Sequence, residues 1–245
     1  MRARLRRIRD RLTGRSPLNS EAEAYARLAR RGYSPGSIID VGAYHGDWTK
    51  LARSIFPDPP ILMVEAQTSK AEVLRTLCSE DSGISLDNNA LAAESGQTMT
   101  FYEMETGSSL MPEQSDVPRK SLSVVTRTLD EIAGSLQGPI FLKLDVQGAE
   151  LEVLKGGSET LSRCDLVQLE LAFLQYNRGA PSLMEVLAFM DTKGFVPLDI
   201  TNMTRPDHVN LVQADFLFCR ADSPLRPTFF RFGEEAVPGT QTDVS

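Results

Sequence analysis

The chain has 245 residues, 41% of them hydrophobic, and its 33 acidic side chains outnumber 26 Lys and Arg for a formal charge of −7. That length suits a single α/β domain with a sizeable core, and the acidic balance argues against a general nucleic-acid binder. Cys78, Cys164 and Cys219 are scattered and odd in number, and His45 and His208 are the only histidines. The composition therefore excludes a disulfide framework and a zinc cluster and points to a reducing, cytoplasmic setting. No apolar run approaches the roughly 20 residues a bilayer span requires.

Arg2, Arg4, Arg6, Arg7, Arg9, Arg11 and Arg15 accompany Leu5, Ile8 and Leu12 at helical spacing. A basic amphipathic helix of this kind can lie on anionic lipid or an acidic partner, peripheral to a membrane, or simply face solvent. It lacks the apolar core of a secretory signal; an organellar transit peptide would also match the arginines. A leading helix from Tyr25 to Arg31 ends at Gly32 and Pro35, so residues 1–35 form an N-terminal extension. The expected main domain covers 36–222. A Pro- and Gly-rich tail, 223–245, carries Phe229, Phe230 and Phe232, which would dock on the core or a neighbour.

The first strand, Ile38-Ile39-Asp40-Val41, is an apolar run delivering an acid to the turn Gly42-Ala43-Tyr44-His45-Gly46. Glycines at both ends of that turn allow positive φ and close approach of a ligand to the backbone. Trp48, Leu51, Ala52 and Ile55 then mark an amphipathic helix over Asp47–Phe56, whose free N–H groups face the turn. A second buried run, Ile61 to Val64, ends in Glu65, about 20 residues past the glycine turn. An acid in that place accepts from ribose hydroxyls in nucleotide-binding α/β folds.

The next predicted strand runs from Ile84 to Leu91 and carries Asn89, in position to face adenine or to make a turn. Met99 to Met104 is a further strand, and Thr106 to Pro118 a long polar loop of the kind that forms lids or surface excursions. Ser121 to Arg127 is a strand, with a short helix following that is capped by Thr128. Ile140 to Asp145 is a strand, Ala149 to Leu161 a helix, Leu166 to Leu171 a strand ending near Glu170, and Leu183 to Lys193 a helix. Strands over Phe195–Ile200 and Ala214–Cys219 close the order. The alternation predicts an α/β, doubly wound sheet, whose ligands bind at the carboxyl ends of the strands.

There is no G-x-G-x-x-G, and Asp40 and Asp47 flank the turn with negative charge. A pyrophosphate is poorly matched to such a turn, whereas a cationic ligand such as S-adenosylmethionine fits. Asp40-Val41-Gly42-Ala43-x-x-Gly46, Glu65, Thr128-Leu129-Asp130 and the block Leu142 to Glu150 followed by Val153-Leu154-Lys155-Gly156 resemble FkbM-type S-adenosylmethionine-dependent methyltransferases over roughly Ser37 to Arg220. Tyr44 and Gln147 depart from the pattern, where that family commonly has Asn and Glu. The resemblance implies a class I, Rossmann-like seven-stranded sheet, mostly parallel with an antiparallel last strand. It also implies O-methylation of a hydroxyl on a sugar, glycan or secondary metabolite.

The expected cofactor-binding residues are Asp40, Gly42, Ala43, Gly46, Glu65, Asn89 and Asp145. A hydroxyl acceptor must lose a proton, which calls for a general base or a metal. Asp145 is the first candidate, with Lys143 on the same face of the strand, where the two would otherwise form an internal ion pair. Glu170 ends the neighbouring strand and would share Mg²⁺ with Asp145, or hold the sheet edge. Glu150 lies in a first helical turn, and His45 in the glycine turn is a further candidate base. Two other classes stay open: a catalytically silent S-adenosylmethionine-binding or membrane-surface module, and a nicotinamide-dependent oxidoreductase.

Overall fold

The computed structural model describes residues 20–114 and 116–227, so the arginine-rich segment and the three tail phenylalanines lie outside the described residues. The main sheet contains β1 (Ser37–Val41), β2 (Ile61–Val64), β3 (Ile84–Asp87), β7 (Ile140–Leu144), β8 (Cys164–Ala172), β9 (Phe195–Thr204) and β10 (Gln213–Arg220). Its order is β3-β2-β1-β7-β8-β10-β9. β1, β2, β3, β7 and β8 pair in parallel with their neighbours, and β10 is antiparallel to both β8 and β9. The expected seven-stranded sheet with an antiparallel last strand is therefore present.

β1, β2 and β7 are buried at every position because helices cover both faces. Such strands read as unbroken apolar runs. One face packs Ile38, Ile61, Met63 and Phe141 against α1 (Glu21–Arg30), α2 (Asp47–Ile55) and α3 (Ala71–Glu80). The other packs Ile39, Leu142, Leu144 and Leu169 against α4 (Leu129–Ala133), α5 (Glu150–Lys155), α6 (Ser158–Arg163) and α7 (Leu183–Thr192). Successive strands lie on opposite sides of β1, with β2 on one side and β7 on the other, which makes the ends of β1 and β7 the switch point.

Two elements differ from expectation. The helix expected from Ala149 to Leu161 is broken into α5 and α6 at Gly156-Gly157. A Cβ at Gly156 would lie 2.4 Å from the Ala92 carbonyl oxygen and one at Gly157 2.6 Å from Leu129 Cδ2, so close packing fixes the break. The strand expected over Ile84–Leu91 divides: β3 stays in the main sheet, while β4 (Ala90–Leu91) pairs in parallel with Thr126 and Arg127. β4, β5 (Thr98–Glu103) and β6 (Lys120–Arg127) form a small second sheet in the order β4-β6-β5. No helix among the described residues is long and apolar enough to cross a membrane.

Candidate active site

The turn after β1 is built around Glu65. Gly42 and Ala43 donate their N–H groups to the Val64 carbonyl at 2.9 and 3.1 Å. Tyr44 N–H donates to Glu65 Oε2 at 2.7 Å and Gln67 N–H to Oε1 at 2.8 Å. Burial pushes the Glu65 carboxyl up, while these two backbone donors pull it back down. Each oxygen accepts one N–H and keeps a lone pair for a ligand. Glu65 thus ties the β1 and β2 loops together at the edge of a cleft.

The turn glycines serve packing. A Cβ on Gly42, at φ 77°, would sit 1.9 Å from the Asp145 carbonyl oxygen, and one on Gly46, at φ 74°, 2.3 Å from Leu77 Cδ1. Expected as room for a ligand, they instead let β1 approach β7 and the turn approach α3. Gly42 still lines the cleft. Gly46, Ala43, Asp40 and His45 are not among its lining residues. Ala43 packs in the core, and His45 stacks on Tyr44 with ring centroids 4.0 Å apart.

The cleft, about 680 Å³ and open to solvent, lies at the switch point. Leu91, Phe101 and Leu110 supply apolar wall, and Glu65, Asn89 and Asp145 supply polar groups. Asn89 Nδ2 donates to Asp87 Oδ1 at 2.7 Å. Glu105 and, from the long polar loop, Thr106, Ser108, Ser109 and Leu110 form a wall. Glu105 accepts from the Tyr44 hydroxyl at 2.7 Å and pairs with Lys70 at 2.9 Å, while Gln67 Nε2 donates to its carbonyl at 3.0 Å. Ser109 Oγ lies 3.1 and 2.8 Å from the carbonyl oxygens of Val146 and Gln147, which fastens the loop to the turn after β7.

On the other side of β1, Asp40 and Lys143 are buried neighbours 3.0 Å apart. Thr49 Oγ1 donates to Asp40 at 2.7 Å and Lys143 Nζ donates to the Gly42 carbonyl at 3.0 Å. Burial opposes the Lys143 charge, but Asp40 and then Asp145 outweigh it and raise its pKa above the ordinary lysine value. Asp40 is thus part of an internal ion pair, away from the cleft.

Asp145 faces the cleft, and Glu170 lies behind it. Gln147 Nε2 donates to Asp145 Oδ1 at 2.8 Å and to Glu170 Oε2 at 2.5 Å. Gln213 donates to the other Glu170 oxygen, and the Tyr176 hydroxyl lies 3.3 and 2.9 Å from the amide oxygens of Gln147 and Gln213. Burial, with Asp145 and Asp215 adding to it, pushes Glu170 up to about 10. Asp215 is pushed up to about 7 by burial and then Glu21 and Asp145. Glu150 is also pushed up to about 7 by burial, although the N–H groups of Val146 and Gly148 oppose the rise.

The Mg²⁺ site expected between Asp145 and Glu170 does not match this arrangement. The Gln147 amide spans the two carboxyls and turns donor hydrogens toward them, where a cation needs oxygen ligands. Among the described residues no group of three or more His, Cys, Asp or Glu could hold a metal ion. Gln67 and Glu105 escape sequence reasoning because loop polar residues carry no periodic signal, whereas Ser109 lies in the polar loop expected to form a lid or surface excursion. Asp215 did leave one: at every second residue it shares the β10 face of the buried Leu217 and Cys219.

A family model described as the methyltransferase FkbM domain matches residues 40–197. Among curated proteins none matches. The chain is similar to a solved precorrin-6y C5,15-methyltransferase from Geobacter metallireducens GS-15, at 11% identity over 81% of this chain and 87% of that one, with a TM-score of 0.44. It is similar to the ribosomal protein L11 methylase from Lactobacillus delbrueckii subsp. bulgaricus, at 11% identity over 82% and 78%, with a TM-score of 0.41. It is also similar to the bifunctional kinase-methyltransferase WbdD, at 14% identity over 80% of this chain but 37% of that one, with a TM-score of 0.45.

Proposed function

The chain belongs to the FkbM family of S-adenosylmethionine-dependent methyltransferases, and from that premise we propose that it methylates a hydroxyl of a sugar, glycan or secondary metabolite. One observation carries the cofactor end of this reading. Glu65 and Asp145 line the cleft, Glu105 lines it already paired with Lys70, and no Lys, Arg or His lines it among the described residues. Such a wall suits the sulfonium and ammonium charges of S-adenosylmethionine and opposes a dinucleotide pyrophosphate.

S-adenosylmethionine supplies, when bound, a methyl group made electrophilic by the positive sulfur. Glu65 would hold the ribose hydroxyls with its remaining lone pairs, and Asn89, Leu91 and Phe101 would receive the base. Asp145 stands where an acceptor hydroxyl must lose its proton. Gln147 fixes the direction of the Asp145 carboxylate through Oδ1, and Oδ2, 3.9 Å from Lys143 Nζ, would take that proton. The cleft walls align the acceptor, and alignment supplies up to roughly 7 to 11 kcal/mol in reactions of this kind.

Calorimetric titration with S-adenosylmethionine and with NAD tests the cofactor: the first binds and the second does not, and no heat with the first would sink the reading. Asp145→Asn tests the chemistry, with turnover lost and cofactor affinity retained.

A further inference from the structure

Residues 103–108 form the tip of an excursion whose base is a pair of backbone hydrogen bonds between Tyr102 and Ser109, at 2.8 and 3.2 Å. The base is fixed. Ser109 is 2% exposed and, besides its hold on the turn after β7, accepts from the Met111 N–H at 3.0 Å. The tip closes on itself, with the Met104 N–H donating to Ser108 Oγ at 2.7 Å. From there it reaches the loops after β1 and β2, whose Tyr44 and Gln67 line the cleft together with Glu105 of the tip.

Glu105 carries that reach. Its Oε2 accepts from the Tyr44 hydroxyl and faces Lys70 Nζ, and Lys70 Nζ in turn stands 4.4 Å from the Tyr44 ring centroid, so the three side chains meet pairwise. Ser69 Oγ adds a bond to Glu103 Oε1 at 3.0 Å. The Glu105 side chain is 76% exposed, and ion pairs in water are individually weak and break readily. Tyr44 at φ 50° and Glu105 at φ 20° hold left-handed backbone without being glycine, a strain that persists only where contacts maintain it. A fixed base with a weakly latched tip is the anatomy of a segment that opens and closes. Each methyl transfer consumes one S-adenosylmethionine and leaves one S-adenosylhomocysteine, so the nucleoside is exchanged at every turnover.

We propose that Glu105 and Lys70 are positioning residues: their ion pair latches the tip against the nucleoside bound in the cleft and sets the rate at which it leaves. This rests on the S-adenosylmethionine reading of the cleft and names the residues that retain the cofactor. Lys70 is not among the lining residues, so it acts through Glu105 and the tip. A latch of this kind holds S-adenosylmethionine and S-adenosylhomocysteine alike, whereas a direct counter-charge to the sulfonium would hold only the first.

The test times dissociation of S-adenosylmethionine and of S-adenosylhomocysteine from the full chain by surface plasmon resonance, in the native protein, Glu105→Gln, Lys70→Met and the double variant. Each single variant is expected to release both nucleosides faster by the same factor, about threefold to tenfold, with the urea midpoint held. The double variant is expected to release them no faster than either single one, because the two residues act as one contact. Faster release of S-adenosylmethionine alone makes Glu105 a direct counter-charge and overturns the assignment. So does a Lys70→Met variant with native rates, or a double variant in which the two effects multiply. If the native chain binds neither nucleoside, the reading of the cleft falls and the assignment with it. If it binds both and no variant changes their release, the assignment falls alone.

Discussion

Lys143 Nζ lies 3.0 Å from Asp40 Oδ1, and both side chains are buried on adjacent strands beneath the cleft. Removing one member of a buried pair leaves the other charge without a partner, which typically costs about 3–5 kcal/mol. Asp40→Asn keeps the acceptor for Thr49 but strands Lys143 with only Asp145, 3.9 Å away. Its unfolding midpoint in urea is expected to fall by a corresponding amount. A variant of normal stability that has lost S-adenosylmethionine affinity would instead make Asp40 a cofactor contact.

Glu65→Gln is a sharper probe of the cofactor, because Glu65 does line the cleft. The substituted amide can accept from only one of the two N–H groups of Tyr44 and Gln67, and it meets the other with its own hydrogens. It also takes a negative charge from the cationic ligand. Loss of a charge-assisted hydrogen bond predicts a fall in S-adenosylmethionine affinity of about tenfold to hundredfold, read by calorimetry. Unchanged affinity would place the ribose elsewhere.

What was legible in the chain follows from these residues. β1 and β7 stood out because strands covered on both faces are rich in apolar residues, and Asp40 near the end of β1 and Asp145 just past β7 break the runs visibly. Their roles were less legible. Asp40 and Asp145 have the same sequence setting, yet Asp40 points into the layer under α2 while Asp145 opens on the cleft. The α5–α6 break was hidden because Val153, Leu154 and Leu161 keep helical spacing across Gly156-Gly157, and only contact with Ala92 and Leu129 requires it. The Glu105 wall depends on a meeting with Tyr44 and Lys70 that no local pattern records.

The buried carboxyls behind Asp145 set the pH dependence of stability. Glu150 and Asp215 rise from about 4 in the unfolded chain to about 7, and Glu170 rises to about 10. A raised acid holds its proton in the folded state where the unfolded chain has lost it, so stability falls with rising pH. That contribution is full below about pH 4 and is lost as pH passes through about 7, with Glu170 extending the loss toward about 10. Urea midpoints are therefore expected to be higher near pH 5 than near pH 8, by an energy of the order of a few kcal/mol. Asp215→Asn, which removes a charge facing Glu21, Asp145 and Lys143 while keeping a hydrogen-bonding side chain, should flatten part of that slope. An unaltered slope would show that Asp215 does not titrate in this range.

Gly42 and Gly96 share a φ of 77° and differ in what surrounds them, which separates backbone strain from packing. A Cβ on Gly96 meets nothing within 4 Å. Gly96→Ala should therefore cost only the left-handed penalty, about 1–2 kcal/mol. A Cβ on Gly42 would fall 1.9 Å from the Asp145 carbonyl oxygen, so the ends of β1 and β7 must part. Asp145 N–H donates to the Val41 carbonyl at 3.1 Å and Lys143 to that of Gly42, and both bonds would be disturbed by the separation. Gly42→Ala is expected to cost more than about 3 kcal/mol, on the scale of overpacked core sites, and to lower turnover through displacement of Asp145. Urea unfolding of the two variants measures the difference. Equal losses at Gly42 and Gly96 would mean that conformation alone, and not the contact with Asp145, requires glycine after β1.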